Sequence, residues 1–192
     1  GPTDYGRPKV QIAAVNPYMC RLGGELCDGL RLHPIGTFAY TKAVVLPAIA
    51  KGAATAGRKP GDIEVVGAPF LAVGSDDEAV AKAKAEARQH IAFYASTRSY
   101  HRVLEFHGWQ DVGTELHRMS REGKWREMPG LISDDMLEEW ALIATFDGFA
   151  AKAKERCEGV FDTVLLDLPP QLRCDDERIA AIVAALRTHD EE

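Results

Sequence analysis

The sequence has few cysteines, no long hydrophobic run and less positive than negative charge. Its four cysteines, Cys20, Cys27, Cys157 and Cys174, form neither a CxxC pair nor a Cys/His spacing typical of metal ligands. A disulfide scaffold and a zinc site are therefore disfavoured, and no metal site is predicted. We expect reduced thiols and a cytoplasmic location.

The absence of a long apolar run excludes a membrane-spanning segment of the usual length. Lys and Arg together number 23 against 29 Asp and Glu, which gives a formal net charge of −6. A chain with this charge balance lacks the positive electrostatic potential that binds a nucleic-acid backbone. A small organic molecule is therefore the expected partner. The length of 192 residues is enough for a substantial core, and we interpret 1–192 as a single domain.

A strand-to-helix junction near the start is the clearest local pattern. Val10, Ile12 and Val15 favour a buried strand, Asn16 suits a helix N-cap, and Pro17 suits the first helical position. Such a junction points backbone N–H groups outward at the carboxyl end of a strand, where a phosphate or other anion is favoured. An ordinary strand-to-helix turn without a ligand explains the same residues.

Three further strands are predicted, over 30–33, 63–73 and 163–168, and helices follow all four. The apolar spacing predicts helices over 17–27, 37–56, 75–94, 133–140, 147–158 and 176–186. Pro47 is expected to kink or divide the second helix, Ser75 and Glu78 read as a capping box, and Asp147 as an N-cap. The stretch 96–145 is rich in aromatic residues and histidine and is interpreted as a helical insertion that builds a pocket or lid.

Four strands with their helices make half of an eight-stranded barrel. Such a half leaves two strand edges unpaired and one face of the sheet uncovered, although parallel sheets are normally buried on both faces. We therefore expect either a second copy of the chain or a missing N-terminal half to close it.

Several segments resemble the luciferase-like monooxygenase superfamily. They are AAVNPYMCRLGGELCDGLRLHP, FAYTKAVVLPAIAKGAATAGR, VVGAPFLAVGSDDEAVAKAKAEARQHIAFYAST and ATFDGFAAKAKERCEGVFDTVLLDLP. The resemblance implies an α/β fold in which this chain is the C-terminal half, strands five to eight, of a TIM-type (α/β)8 barrel. The most similar members are oxidoreductases that use the deazaflavin coenzyme F-420.

The resemblance also implies a function. It points to hydride transfer between reduced F-420 and a small organic substrate, with an FMN-dependent monooxygenase and a noncatalytic, self-associating half-barrel as alternatives. The partners would be a small-molecule substrate and either a homo-oligomeric copy or the N-terminal half. In relatives, the backbone after strand five contacts the phosphate or ribityl arm of the cofactor. The matching positions here are Ala13, Ala14, Val15, Asn16, Tyr18 and Met19.

No catalytic residue is identified by the resemblance, but two positions at strand ends are candidates. His33 and Asp167 are predicted at the carboxyl ends of their strands, where barrel enzymes place catalytic groups. If they are not catalytic, His33 has a structural packing role, and Asp167 forms an ion pair in the core. His101, His107 and His117 lack metal-ligand neighbours in the sequence and are interpreted as surface or loop residues.

Overall fold

The computed structural model describes residues 6–187, in which all strand pairs are parallel. The strands are β1 (Gln11–Ala14), β2 (Gly29–Leu32), β3 (Glu64–Gly67), β4 (Phe70–Gly74), β5 (Ala141–Thr145) and β6 (Thr163–Val164). One sheet has the order β1-β2-β3-β6, and the second sheet pairs β4 with β5.

Helices follow or separate these strands. They are α1 (Pro17–Leu26), α2 (Phe38–Tyr40), α3 (Leu46–Thr55), α4 (Asp77–Ala95), α5 (His101–Phe106), α6 (Gln110–Arg121), α7 (Asp134–Trp140), α8 (Phe149–Cys157), α9 (Pro170–Arg173) and α10 (Asp176–Arg187). Short 3-10 turns lie at Pro60–Asp62, Arg98–Tyr100 and Met128–Leu131. Over residues 6–187, none of the helices combines the length and the apolar character needed to cross a membrane.

The predicted helix over 37–56 is present and contains a π-helical turn. A π-helical turn (Thr41–Val45) separates α2 from α3, and Pro47 lies in the first turn of α3. Proline has no N–H to donate, so it is tolerated where a helix begins and disrupts one that continues. The expectation that Pro47 divides the helix in two is wrong, because the backbone stays helical through Thr41, Val45 and Leu46. The π-helical turn directly before Pro47 accommodates the missing N–H.

The two faces of the four-stranded sheet differ in character. Ala14, Leu30 and Val65 point to the outer face and are buried with side chains of α1 and α3 in the main core. On the inner face, Gln11 Nε2 donates to one carboxylate oxygen of Glu64 at 2.9 Å, and Thr163 Oγ1 donates to the other at 2.8 Å. A polar ladder therefore crosses the inner face from β1 to β6.

The inner face is open over the described part of the chain. Ala13 and Arg31 are register partners in β1 and β2, and both side chains are exposed there. Among residues 6–187, β1 pairs with β2 alone and β6 with β3 alone, so both edges of the sheet are free. The α/β half-barrel expected from the strand count is confirmed.

The strand predictions need three corrections. The segment 63–73 forms two strands, β3 and β4, which belong to different sheets because the chain bends at Ala68 and Pro69. Strand β5 was not predicted, since it follows α7 without a turn residue and its partner β4 lies far away in the sequence. The insertion over 96–145 is therefore not wholly helical.

The last strand is shorter than predicted. β6 covers Thr163–Val164, whereas the sequence favoured 163–168. Leu165 N–H still donates to the carbonyl of Gly67 at 2.8 Å. Beyond that point β3 has turned away, so Leu166, Asp167 and Leu168 have no strand partner within residues 6–187.

Two helix N-caps lie one residue after the predicted position. Asp76, and not Ser75, caps α4, because its Oδ1 accepts the N–H of Ala79 at 2.9 Å. Helix α8 has Gly148 as its N-cap, while the side chain of Asp147 is 92% exposed and pairs with Arg178 at 3.1 Å.

Candidate functional site

A cleft of about 680 Å³ opens where three strands end. Pro34 follows β2, Ala68 and Pro69 follow β3, and the segment 165–170 follows β6, so the lining comes from their carboxyl ends. Ligands of parallel α/β folds bind at this end of the strands. The cleft is therefore the first candidate site.

Helix α4 forms the opposite wall of the cleft. Ala83, Glu86, Ala87, His90 and Tyr94 lie on one helical face and line it. The apolar wall with a few polar groups resembles the usual composition of small-molecule sites. Glu86, His90 and Tyr94 were not predicted, although their spacing of four residues marks a polar stripe on an otherwise Ala/Lys-rich helix.

The rim of the cleft carries an ion pair between Asp167 and Arg173. Arg173 Nε also donates to the carbonyl of Leu168 at 2.6 Å, which fixes the guanidinium near the segment after β6. The side chain of Asp167 is 92% exposed. The expectation of a paired core charge is thus wrong: because the chain leaves the sheet after Val164, this carboxylate lies at the surface.

His33 occupies a constrained position directly after β2. Its Nδ1 accepts the N–H of Ile35 at 3.1 Å. Its ring stacks on Tyr100, with centroids 5.1 Å apart, and meets Tyr94 edge-on at 4.6 Å. Burial lowers the pKa of His33 below its ordinary value, because the charged imidazolium is disfavoured in a partly desolvated position. Burial thus favours the neutral imidazole, and the contacts with Ile35, Tyr94 and Tyr100 orient the ring.

His33 and Asp167 do not lie in one pocket. His33 lines a small cavity with Phe38, Trp140 and Phe161, whereas Asp167 lies on the rim of the large cleft. Pro34, Ala68 and Pro69 line both spaces, so the two adjoin through the turns after β2 and β3. His33 and Asp167 therefore line two adjoining spaces that share Pro34, Ala68 and Pro69.

The junction after β1 forms a separate feature. Asn16 is the N-cap residue of α1, but its side chain makes no capping hydrogen bond. Instead Asn16 Nδ2 donates to the carbonyl of Ser99 at 2.9 Å, which ties the junction to the insertion. Asn16 Oδ1 is buried and has no hydrogen-bond partner among the residues described.

We call the six residues predicted to contact the cofactor the cradle: Ala13, Ala14, Val15, Asn16, Tyr18 and Met19. Their side chains differ in exposure. Ala14 is 6% exposed, Val15 and Asn16 are half-buried, and Ala13 is exposed on the inner face of the sheet. Tyr18 and Met19 lie on the first turn of α1 and are 66% and 39% exposed. None of these residues lines the large cleft.

Two of the three histidines of the insertion lie in helices, and His107 lies in the turn between α5 and α6. His101 and His117 are half-buried in α5 and α6, and His117 Nδ1 lies 3.0 Å from the carbonyl oxygen of Ser96. His107 Nε2 lies 2.8 Å from the hydroxyl of Thr37, and its ring stacks on Trp109 at 4.1 Å. In residues 6–187, no three His, Cys, Asp or Glu side chains are placed to hold a metal ion.

A half-barrel of parallel strands with polar groups at their carboxyl ends has the architecture of half a TIM-type α/β barrel. The model of the luciferase-like monooxygenase family matches residues 1–163, and the chain belongs to that family.

Comparison with relatives agrees with this assignment. The chain is 43% identical over 164 residues to the uncharacterized protein Rv1360 of Mycobacterium tuberculosis, covering 85% of this chain and 48% of the relative. It is 30% identical over 152 residues to the 5,10-methylenetetrahydromethanopterin reductase of Methanolobus tindarius, covering 78% and 45%. The chain thus spans about half the length of these curated relatives.

A solved structure confirms the fold. The coenzyme F420 dependent tetrahydromethanopterin reductase from Methanopyrus kandleri superposes with a TM-score of 0.66 at 22% identity. The match covers 92% of this chain and 49% of that enzyme. Here too the similarity extends over about half of the longer chain.

Proposed function

We propose that this chain is the C-terminal part of an F-420-dependent oxidoreductase that transfers a hydride between the deazaflavin and a small organic substrate. The observation that carries the proposal is the unpartnered Asn16 Oδ1 beside the uncapped start of α1. Family membership supports the reaction class.

The junction after β1 fits a phosphate-bearing polyol. Asn16 Oδ1 is an acceptor without a donor, and a ribityl hydroxyl would supply one. The first N–H groups of α1 receive no side-chain cap, and an anion is favoured at such a terminus. The exposed Ala13 has a side chain small enough to let a ligand approach the backbone.

The proposed roles of the cradle residues divide accordingly. Ala13, Ala14 and Val15 supply a close backbone surface, Asn16 supplies the acceptor, and the start of α1 supplies N–H groups. Tyr18 and Met19 would act through their backbone, because their side chains are largely exposed. When bound, the deazaflavin would supply the hydride, and the chain would orient it and exclude water.

The cleft between α4 and the segment after β6 is proposed as the substrate side. Apolar side chains form most of its lining, and Glu86, His90, Asp167 and Arg173 are charged or titratable groups that could orient a ligand. The insertion over about 96–145 would cover the junction after β1, since Ser99 already bonds to Asn16.

Cofactor binding to the full 192-residue chain tests the proposal. Deazaflavin fluorescence should change on binding of F-420, and an F-420 analogue that lacks the phosphate should bind more weakly. Tight binding of FMN without binding of F-420 would replace the proposal by the flavin-dependent alternative. Absence of binding by both cofactors would remove the cradle assignment for this chain.

A second candidate, the noncatalytic and self-associating half-barrel, is favoured by the open inner face. Within residues 6–187, the polar ladder through Glu64 and the exposed Arg31 lie on this uncovered inner face, and both edges of the sheet are free. A mass measurement in solution distinguishes the candidates. A dimer without cofactor binding favours the self-associating half-barrel, while a monomer that binds F-420 contradicts it.

We also propose that 1–192 forms one domain and that the protein is cytoplasmic. Both follow from the length and the scattered cysteines of the sequence. Limited proteolysis should leave one protected fragment if the domain proposal holds.

A further inference from the structure

A second groove, of about 340 Å³, lies beside helix α4. Gln89, His90 and Phe93 of α4 contribute to its lining, and Trp125 and Met128 contribute from the segment after α6. Phe93 is 53% exposed and Trp125 is 46% exposed, whereas Met128 is 1% exposed. Two large aromatic rings thus stay half exposed beside a fully buried side chain, an arrangement typical of a surface that binds something.

The turn after α6 places Trp125 at this groove. Gly123 has a φ of +74°, and the N–H groups of Gly123 and Lys124 donate back to carbonyls of the last turn of α6 at 3.3 and 3.0 Å. This pair of hydrogen bonds is the Schellman arrangement that ends a helix at a left-handed glycine. The chain turns there, and the ring of Trp125 meets Phe93 with centroids 5.9 Å apart. Backbone geometry therefore holds the aromatic pair together at the surface.

Two polar side chains of the groove are free to contact a ligand. Within residues 6–187, the amide of Gln89 and the imidazole of His90 form no hydrogen bond. Among the described residues that line the groove there is no Lys, Arg, Asp or Glu. A ligand group that is uncharged and forms one or two hydrogen bonds is favoured in such surroundings.

The groove adjoins the large cleft along α4, because His90 lines both. A dry apolar cavity of about 150 Å³ is large enough to hold benzene. The groove, at about 340 Å³, therefore has room for an aromatic ring with a polar substituent. The cleft of about 680 Å³ has room for the remainder of a longer molecule.

We propose that the groove binds the aromatic ring of an elongated, uncharged substrate whose other end lies in the cleft. The proposal rests on the cleft as the substrate side of the proposed oxidoreductase, and it names the substrate class: an arene joined through a short polar link to a flexible chain. Phe93 and Trp125 stack with the ring, and Gln89 and His90 form hydrogen bonds with the link. The aromatic pair thus determines specificity without contact to the reacting atoms.

Binding of benzamide and of cyclohexanecarboxamide to the full 192-residue chain tests the groove. The two probes share the carboxamide and differ in the ring, and ligand-observed NMR measures both affinities. We expect benzamide to bind about two- to tenfold more tightly, and we expect Phe93→Leu and Trp125→Leu to remove this preference. Both side chains are half exposed, so the variants keep the fold.

Phe106→Leu is the matched control for these substitutions. Phe106 is 42% exposed and does not line the groove, so the preference for benzamide should be unchanged in this variant. Equal affinity of the two probes for the wild type would overturn the proposal. A preference for benzamide that survives both Phe93→Leu and Trp125→Leu would overturn it as well.

N-butylbenzamide tests the connection between the groove and the cleft. Its butyl chain extends from the carboxamide past His90, and burial of the apolar chain in the cleft should give about tenfold tighter binding than benzamide. Glu86→Trp places a bulky side chain in the cleft and should remove this gain without changing the affinity for benzamide. A gain that survives Glu86→Trp would overturn the elongated substrate class.

F-420 fluorescence, measured on the same samples, separates this inference from the proposed function. Loss of F-420 binding together with an aromatic preference that depends on Phe93 and Trp125 would refute the cofactor and support the groove. F-420 binding without such a preference would refute the groove alone. Self-association that depends on Trp125 and excludes the probes would also overturn the groove as a ligand site, because it would identify an interface between copies of the chain.

Discussion

Gly52 of α3 lies against the carbonyl oxygen of Arg21 in α1, so closely that a Cβ on Gly52 would fall 1.9 Å from that oxygen. The contact is reciprocal, because a Cβ on Gly24 of α1 would fall 2.2 Å from the carbonyl oxygen of Ile49. Glycine at both positions lets the two helices that cover the outer face of the sheet touch through their backbones.

Gly52→Ala should therefore destabilise the protein. The added methyl group meets rigid backbone and forces the helices apart, which costs about 1–3 kcal/mol of unfolding free energy. Chemical denaturation measures the change. Gly61→Ala is the matched control, since a Cβ there meets nothing within 4 Å. Equal effects of the two substitutions would contradict the close contact.

Trp140→Phe should lower stability through a lost hydrogen bond. The indole Nε1 of Trp140 donates to the carbonyl of Ile35 at 2.6 Å, and the ring is 1% exposed. Removing the donor leaves a buried carbonyl unpaired, at a cost of about 1–3 kcal/mol. The same change at Trp125, which is 46% exposed, should have little effect in thermal or chemical unfolding.

Asp28 should contribute stability that depends on pH. Its carboxylate accepts hydrogen bonds from the Arg7 guanidinium and from the N–H of Val10, both at 2.8 Å, and these hold its pKa well below the usual range. A depressed folded-state pKa stabilises the protein above the unfolded value of about 4, and the contribution is lost as the pH falls below it.

The measurement compares unfolding of the wild type and Asp28→Asn from neutral pH to about pH 3. We expect the wild type to be the more stable at neutral pH and the difference to shrink as the pH decreases. A difference that stays constant with pH would show that the ion pair is not its source.

Ala13→Leu should weaken F-420 binding if the cradle lies after β1. A larger side chain on the exposed inner face would keep a ligand from the backbone, and about 10- to 100-fold weaker binding is expected. Ala81→Leu, on the exposed side of α4, is the matched control. Cofactor fluorescence gives both affinities, and unchanged binding in Ala13→Leu would move the cradle elsewhere.

The sequence predicted the features that depend on local patterns. Asn16 and Pro17 mark the start of the helix, which begins at Pro17 as predicted. The strand before it is present but covers only Gln11–Ala14, and Val10 is 52% exposed outside it. Gly23 lies against Leu30 of the sheet and Gly24 against α3, and neither partner is visible in the local pattern.

Features that depend on distant partners could not be predicted. Strand β5 exists because β4 pairs with it across almost seventy residues, and β6 is short because β3 turns at Pro69. The environment of His33 likewise comes from Tyr94 and Tyr100, which a pattern around residue 33 does not contain. Three assignments stay predictions: the cofactor contacts of the cradle residues, the cleft as the substrate site, and 1–192 as a single domain.

The burial of three cysteines makes the chain easy to label at one place. Cys20, Cys27 and Cys157 are buried, and burial raises the pKa of the Cys20 and Cys157 thiols to about 11. Cys174 is exposed and directly follows Arg173 at the rim of the cleft. A maleimide dye added near pH 7 would thus attach at Cys174 and report from the edge of the candidate site without any engineered cysteine.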